Sequence, residues 1–417
     1  MLEKLRSRFR RGGKGSDKLT VEAVYPGEMQ GPATNLGYHS TALDFDWVVI
    51  ATVSLLIGIG TVMVYSASVS LGDSPKYGTT STYFLIRHLI SLVVSLVAAY
   101  GIYHIPMRIW KRLAVPIGIF AVLLLVAVLI PGVGTSVNGS RRWIRMPFMN
   151  LQVSEVTKFA AVIFASYFTV RRQDYMHSLR KGFLPMALAM ATVAGLLVVQ
   201  PDLGATVVVI AITMGILFLG GLDLRIFGGV IAIVIAAAAA LIMATPWRVG
   251  RVVAYMDPSS EEHVLGKAYQ LSHSLIAFGR GAIFGTGLGG SVEKLNYLPE
   301  AHTDFIFAVV GEELGFVGVV LVLLLYYRLI RSAFEIGRIA VKMDNIFSGL
   351  VAQGIGIWIG VQVCINVGVA TGLLPTKGLT LPLMSYGGSA LLATLCGIAV
   401  LLRVDHENRV QMHGGSI

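Results

Sequence analysis

Three ionisable side chains lie within five consecutive positions just before a long apolar run. Glu300, His302 and Asp304 precede the apolar stretch 305–326, which only two adjacent glutamates interrupt. Charged groups beside a membrane-spanning segment are costly unless they bind something. A carboxylate at such a desolvated boundary has a raised pKa, which suits it to general-base chemistry. The segment therefore predicts a site with Asp304 as the base, and a helix cap is the structural alternative for that residue.

The composition is that of a polytopic membrane protein. The 417 residues are 55% hydrophobic and only 13% charged, whereas about a quarter of a soluble domain is charged. A net charge of +10 would suit nucleic acid, but the basic residues lie between apolar spans, where they orient a membrane protein. We therefore expect no nucleic-acid partner. Cys364 and Cys396 lie in apolar runs and are read as small buried hydrophobes.

The fold class predicted is an all-α polytopic membrane protein, because about ten apolar stretches approach the length that a bilayer requires of a helix. These stretches are Trp47–Ala67, Tyr83–Ile105, Leu113–Pro131, Val156–Val170, Phe183–Val199, Ala205–Gly220, Ile226–Thr245, Phe305–Tyr327, Ile346–Val369 and Gly388–Leu402. Residues 1–45 are predicted to form a flexible basic cytoplasmic tail, residues 46–403 the transmembrane domain, and residues 404–417 a C-terminal cytoplasmic tail.

The distribution of Lys and Arg places both termini in the cytoplasm. The outward loops are then residues 68–82, 132–155, 200–204, 246–304 and 370–387. The large extracytoplasmic loop 246–304 joins the seventh and eighth spans, and a loop that long is usually functional. Its glycine-rich part, 279–290, lacks the strand that a dinucleotide fingerprint needs, so a re-entrant or surface segment that contacts phosphate or sugar is favoured over it.

Several outward positions carry charge that a membrane protein does not need for orientation. Arg141 and Arg142 flank a tryptophan and suit a phosphate, or else anchor the chain to lipid headgroups. Lys377 is either a diphosphate contact or a lysine that extends to the membrane surface. Asp202 either caps the following helix or faces the same outer cavity as a ligand of a cation or a sugar hydroxyl.

Glu155 and Lys158 form an i, i+3 pair at the start of the fourth span. The pair is either a structural ion pair or part of a buried site. Sugar transfer with inversion needs one base to take the proton of the attacking hydroxyl, and it needs positive charge to stabilise the leaving group. Asp304 together with the outward arginines, Lys158 and Lys377 would supply that set.

These motifs resemble the SEDS family (shape, elongation, division and sporulation proteins) over most of the chain after its N-terminal tail. The motifs that carry the resemblance are Tyr297–Phe307, Gly311–Gly315, Gly372–Gly378, Ser385–Ser389, Asn138-Gly139 with Arg142-Trp143-Ile144, and Gln200–Gly204. The long tail and the sequence of residues 298–304 are most similar to the division branch of the family. One departure is Val153, where the family usually has proline.

The resemblance implies a peptidoglycan glycosyltransferase that polymerises lipid II into a nascent glycan chain at the division septum of the bacterial inner membrane. The essential aspartate of the family falls on Asp304, and its acidic and basic pair falls on Glu155 and Lys158. A divalent cation, Mg²⁺ or Mn²⁺, is also implied. The partners implied are a division-specific class B penicillin-binding protein, which is a transpeptidase, and other divisome proteins.

The remaining site residues follow from this assignment. Glu300, His302 and Ser385 are expected to position substrate, and Asp304, Asp202 and Glu300 are the candidate metal ligands. The rival function is a lipid II flippase, which predicts polar groups that continue through the spans, and Arg87 and His88 favour it. A non-catalytic divisome scaffold is the third alternative and leaves the acidic cluster unexplained.

Overall fold

Apolar helices dominate the chain, as the composition predicts. The computed structural model describes residues 46–72, 80–137, 140–145, 150–245, 249–250, 253, 268–375 and 377–415. The predicted tail 1–45, the Asn138-Gly139 turn and most of 246–267 lie outside the described residues. Among those described, the helices are α1 Trp47–Gly72, α2 Tyr83–Tyr103, α3 Met107–Ala127, α4 Val153–Arg171, α5 Leu184–Val199, α6 Leu203–Leu219, α7 Leu224–Met243, α8 Tyr269–Gly281, α9 Ile306–Lys342, α10 Ile346–Ala370 and α11 Gly388–Met412.

The prediction of a polytopic all-α membrane protein is confirmed. Within the described ranges, eight helices are long and apolar enough to cross a membrane. Two shorter apolar stretches, Leu203–Leu219 and Leu224–Ala237, fall where the sixth and seventh spans were predicted. Each of the ten predicted spans therefore corresponds to a helix. Three helices extend five or more residues past the C-terminal end of their predicted spans: α1 to Gly72, α9 to Lys342 and α11 to Met412.

A small antiparallel sheet, which the sequence analysis did not predict, fills part of the loop before α4. Its strands are β1 Gly134–Val137, β2 Ser140–Arg145 and β3 Asn150–Gln152, in the order β1-β2-β3. β2 pairs with both neighbours, so its backbone is held along its length. Because successive side chains of a strand point to opposite faces, β2 turns Arg142 towards the helices and leaves Arg141 exposed.

Helix α9 is broken at Gly315, whose φ of 66° and ψ of −166° are not helical. Its second part packs antiparallel to α10, since Gly360 lies beside Ile330 and Gly356 beside Phe334. If this pairing is continued along the two helices, Asn366 of α10 lies opposite about Leu324 of α9. Asn366 also donates to the backbone carbonyl of Asp304, so Asp304 and Leu324 lie at the same height along α10. Between Asp304 and Leu324 the chain therefore runs away from the level of Asn366, reverses its direction at Gly315 and comes back to that level.

The glycine-rich loop closes this break. The amides of Thr286 and Gly287 donate to the carbonyls of Glu312 and Glu313, at 2.9 and 3.0 Å. In return, the amides of residues 316 and 317 donate to the carbonyls of residues 282 and 283. A helix break in a membrane domain needs such partners, because unpaired backbone groups are costly there. The loop is therefore held in the fold by backbone hydrogen bonds to the helix break, and this is compatible with the predicted re-entrant or surface segment.

The helix ends form two groups with different chemistry. At the site end, the connections 200–202, 297–305 and 377–387 lie against the sheet and against one another. At the opposite, basic end, α3 begins beside α11, and the α9–α10 turn is bonded to Gln411. Most of the charged site residues predicted from the sequence are at the site end.

Candidate active site

Asp304 occupies a strained turn immediately before α9. The amides of Asp304 and Phe305 donate to the carbonyl of Glu300, and Glu300 itself has a positive φ of 59°. Such a conformation costs free energy in a residue other than glycine and is concentrated at functional sites. Asn366 then fixes the turn by donating to the Asp304 carbonyl at 2.9 Å. The backbone of the candidate base is therefore held, while its carboxylate accepts no hydrogen bond from the part of the chain that the structure describes.

The surroundings of Asp304 keep its proton bound to higher pH. Burial and the negative charges of Glu300 and Asp202 together raise the pKa of the Asp304 carboxyl to about 7, against the opposing effect of Arg142. A carboxyl with a pKa near 7 is poised for general-base work at neutral pH. The same interactions show that four predicted site residues lie close enough to act on one another.

Arg142 joins the sheet to the turn before α6. Its Nε donates to the carbonyl of Gln200 at 3.0 Å, and its Nη2 donates to that of Pro201 at 2.6 Å. Nη1 lies 4.0 Å from Oδ1 of Asp202, whose carboxylate also caps α6 through the amide of Ala205. Asp202 therefore caps the helix and lies near the other site residues, while its role as a ligand of a cation or a sugar hydroxyl stays a prediction. Arg141 lies on the other face of β2 and is exposed.

The loop after α10 brings Lys377 to the same place. A Cβ added to Gly378 would lie 2.7 Å from Oδ2 of Asp304, so the backbone beside Lys377 runs directly against the carboxylate. Asn366 holds this loop by donating to the carbonyl of Leu379 at 2.6 Å. Lys377 is half-buried and one residue from that contact. The position fits the predicted phosphate contact.

Glu155 and Lys158 form a buried ion pair with 2.7 Å between Oε1 and Nζ. Lys158 also donates to Oε1 of Gln362 at 2.8 Å, and Gln362 donates to the carbonyl of Thr380 at 2.9 Å. The pair thus supports the loop after α10, which contains Lys377 and Thr380. Oε2 of Glu155 is buried and has no partner in the described ranges. The pair therefore lies next to the site, and its contact with substrate stays a prediction.

His302 is packed among aromatic rings. Its ring lies 5.0 Å from that of Phe84 and 5.5 Å from that of Tyr386, and its carbonyl accepts the amide of Tyr386. Burial lowers the pKa of His302, and the charge of Glu300 partly offsets that effect. The ring is therefore kept neutral, and it mainly joins α2 to the loops that contain His302 and Tyr386. A direct contact of His302 with substrate stays a prediction.

Ser385 and Glu300 differ in exposure. Ser385 is buried, and its hydroxyl accepts the amide of Leu381 at 2.8 Å, which closes the turn after the site loop. Glu300 is exposed, and its carboxylate accepts the hydroxyl of Thr303 at 2.8 Å. Glu300 is the better placed of the two to meet a substrate, and the substrate role of Ser385 stays a prediction.

A divalent cation fits a two-carboxylate site here. In the described ranges no three His, Cys, Asp or Glu side chains lie together as a ligand cluster. Asp202, however, has a buried Oδ2 without a hydrogen-bond partner among the described residues, and its charge acts on Asp304. Mg²⁺ commonly binds one or two carboxylates and completes its shell with water and substrate phosphates. Asp202 and Asp304 match that donor set, with the exposed Glu300 nearby.

Sequence reasoning missed Gln362 and Asn366, which project one turn apart from α10 into the site. Both lie in an apolar run, and their i, i+4 spacing was the available signal that they share a face. It also missed what Glu312 and Glu313 contact. Arg87 and His88, cited for transport, lie within the first two turns of α2, and His88 is 6.3 Å from the ring of Tyr386. They belong to the site end and do not mark a path through the membrane.

Comparison with known proteins identifies the family. Residues 46–410 match the family model of the cell cycle proteins FtsW, RodA and SpoVE, so the chain belongs to that family. It is a multi-pass membrane protein of the SEDS type. This confirms the resemblance drawn from the motifs.

Two relatives illustrate the similarity. A Burkholderia thailandensis protein is 56% identical over 380 residues, which cover 91% of this chain and 82% of the relative. A Polynucleobacter necessarius protein is 55% identical over 380 residues, covering 91% of this chain and 90% of the relative. Both are named as probable peptidoglycan glycosyltransferase FtsW.

Two solved structures share the fold. A chain from a peptidoglycan synthase complex that couples polymerisation and crosslinking aligns with a TM-score of 0.71 at 30% identity, covering 88% of this chain and 99% of that chain. The rod shape determining protein RodA of Thermus thermophilus aligns with a TM-score of 0.63 at 29% identity, covering 88% of this chain and 98% of that chain.

Proposed function

We propose that the protein is a peptidoglycan glycosyltransferase that polymerises lipid II into glycan strands at the division septum, with Asp304 as general base. The observation that carries the proposal is the environment of Asp304. Its carboxylate is held by its backbone, accepts no hydrogen bond from the described residues, and has its pKa raised to about 7. The relatives named as FtsW support the division branch.

In the proposed reaction, the Asp304 carboxylate accepts the proton of the acceptor sugar hydroxyl. The hydroxyl oxygen forms a bond to the anomeric carbon of the lipid-linked chain, and the bond between that carbon and the diphosphate oxygen breaks. Undecaprenyl diphosphate leaves with the bonding electron pair. Arg142 acts on the charge of Asp304, and the backbone beside Lys377 runs against its carboxylate, so both cations would be available to the departing diphosphate. A bound Mg²⁺ or Mn²⁺, held by Asp202 and Asp304, would add further positive charge for the diphosphate.

Transport of lipid II is less well supported. A flippase needs polar groups along a route through the membrane. The charged groups found in the spans near the site, including Glu155, Lys158 and Arg87, lie within the first two turns of α4 and α2 at the site end. They are grouped on one face of the bundle, as a polymerase at that face requires.

The partner and the orientation are part of the same proposal. One structural neighbour comes from a peptidoglycan synthase complex, which supports a class B penicillin-binding protein as the partner here. The basic residues favour cytoplasmic termini and an outward site. An outward site suits a substrate whose prenyl chain stays in the bilayer while its sugars lie outside.

The test is glycan synthesis by purified full-length protein with its transpeptidase partner, labelled lipid II and Mg²⁺ or Mn²⁺. The expected result is chain growth that depends on the metal ion and is lost in Asp304→Ala. Arg145→Ala is the matched control, because this exposed arginine lies on the opposite face of β2 from Arg142 and has no proposed role, and it should retain most activity. Equal chain growth in Asp304→Ala would show that the catalytic assignment is wrong.

A further inference from the structure

A cavity of about 540 Å³ lies at the basic end, far along the helices from the active site. It is bordered by the last turns of α4, α6 and α9 and by the first turns of α10. The catalytic proposal uses none of its residues. We propose that this cavity binds the headgroup and glycerol region of an anionic phospholipid.

The first support is positive charge without a protein partner. Arg338 and Lys342 line the cavity one turn apart on the same face of α9. Neither forms an ion pair with any residue that the structure describes, and no Asp or Glu lines the cavity. By contrast, Arg331 on the same helix is paired with Glu335 at 2.7 Å. A basic pocket between helix ends at the cytoplasmic side is a typical site for an anionic lipid headgroup.

The second support is a buried amide that faces the cavity. Gln353 of α10 lines the cavity, is only 7% exposed and makes no hydrogen bond to the described part of the chain. The amide is not among the buried polar atoms that lack a partner in the described residues, so it opens to the cavity, where a ligand or water can bond to it. Its NH₂ group would donate to a phosphate or ester oxygen between the two cations.

The apolar walls favour a lipid over free phosphate. Leu219, Val341 and Leu350 line the same cavity as the two cations, and the first two are about 40% exposed. Such walls suit the glycerol and upper acyl region of a phospholipid. The basic end is the end that the positive-inside rule places at the cytoplasmic leaflet. The lipid would therefore come from that leaflet.

A structural alternative explains the two cations without a ligand. Arg338 and Lys342 lie in the last two turns of α9, where positive charge offsets the helix dipole. That alternative predicts a loss of stability on their removal that is the same in every lipid. It gives no reason for the unpaired amide of Gln353.

The test is native mass spectrometry of the full-length protein in detergent with added phosphatidylglycerol or phosphatidylcholine. The wild type should retain phosphatidylglycerol about 30-fold more strongly, because each basic side chain near an anionic headgroup contributes about fivefold. Arg338→Gln/Lys342→Gln should abolish that preference. The control Arg328→Gln/Arg331→Gln removes the same charge from the same helix outside the cavity and should keep the preference.

Gln353→Leu separates recognition from folding. It leaves every charge in place and should weaken phosphatidylglycerol binding about fivefold, as the loss of one hydrogen bond does. The proposal is wrong if both double variants lose the preference equally, or if the wild type binds the two lipids alike. It is also wrong if inorganic phosphate displaces phosphatidylglycerol at comparable concentration, since the site would then be for free anions.

Discussion

Two acidic regions lie within ten residues of each other, and their surroundings are opposite. The Glu312 carboxylate is fully buried, accepts hydrogen bonds from the hydroxyl of Ser291 and the amides of residues 292 and 293, and forms an ion pair with Arg280 at 3.4 Å. The Asp304 carboxylate accepts no hydrogen bond from the described residues. A carboxylate whose lone pairs are occupied holds structure, whereas one held only by its backbone remains available for chemistry.

Glu313 extends the structural region. It forms an ion pair with Lys294, with 2.6 Å between Oε1 and Nζ, and accepts the hydroxyl of Ser66 at 2.6 Å. This contact ties α1 to the segment that leads to Asp304. Burial alone therefore does not mark a catalytic acid, and what distinguishes Asp304 from Glu312 and Glu313 is that no described residue donates to its carboxylate.

The largest effect that would test this comparison is expected for Asp304→Asn. The change keeps the shape but removes the base, so glycan synthesis should fall by about 10²–10⁴-fold. The melting temperature should not fall, since no described residue donates to this carboxylate. Parallel measurement of glycan synthesis and thermal unfolding checks this. A fall in both the rate of synthesis and the melting temperature would show that Asp304 has a structural role, like Glu312 and Glu313.

Lys294→Met should show the opposite pattern. It leaves the buried Glu313 carboxylate without its cation, which typically destabilises a protein by about 3–5 kcal/mol. Thermal unfolding in detergent measures the loss. Arg331→Gln, which breaks an exposed pair, is the control and should change stability little. A stable Lys294→Met protein without activity would move Lys294 into the catalytic group.

Gly378→Ala probes the contact beside Asp304. The added Cβ would lie 2.7 Å from Oδ2, so the carboxylate must move. A displacement of about 1 Å can cost about 100-fold in rate, and we expect a loss of 10- to 100-fold with normal stability. Gly279→Ala, whose added Cβ meets nothing within 4 Å, should retain full activity.

The smallest effect, measured per pH unit, is the dependence on pH. Below a pKa of about 7, Asp304 is protonated and cannot act as base, so activity should rise about tenfold per pH unit up to that value. Stability should move the other way. Between about pH 4 and 7 the folded state binds the proton and the unfolded state does not, so stability falls by about 1.4 kcal/mol per pH unit.

Asp304→Asn should lack that decline in stability, which a comparison of unfolding at pH 5 and pH 7 would reveal. If the variant and the wild type change alike with pH, the decline belongs to other groups and Asp304 is not buried with a raised pKa.

The sequence was sufficient for the membrane helices and for placing several charged candidates at one end of them, because hydrophobic length and charge placement are local properties. Asp304, Asp202 and Arg142 were named, and the structure brings them together. The sheet was missed because its strands are three to six residues long and carry no alternating apolar pattern. The contacts of Gln362 and Asn366 were missed because they depend on which loop crosses α10, and a single sequence does not encode that crossing locally.

The reversal at Gly315 has a consequence for a substrate tethered to the membrane. A prenyl chain fixes the diphosphate near the bilayer surface, so the reacting carbon can rise only as far as the linkage allows. The chain runs outward from Asp304 to Gly315 and then turns back towards the membrane as the second part of α9. Asp304 therefore lies closer to the bilayer than Gly315 does. With Asp304 as the proposed base, this geometry would set the carboxylate at the height of a sugar tethered to the membrane.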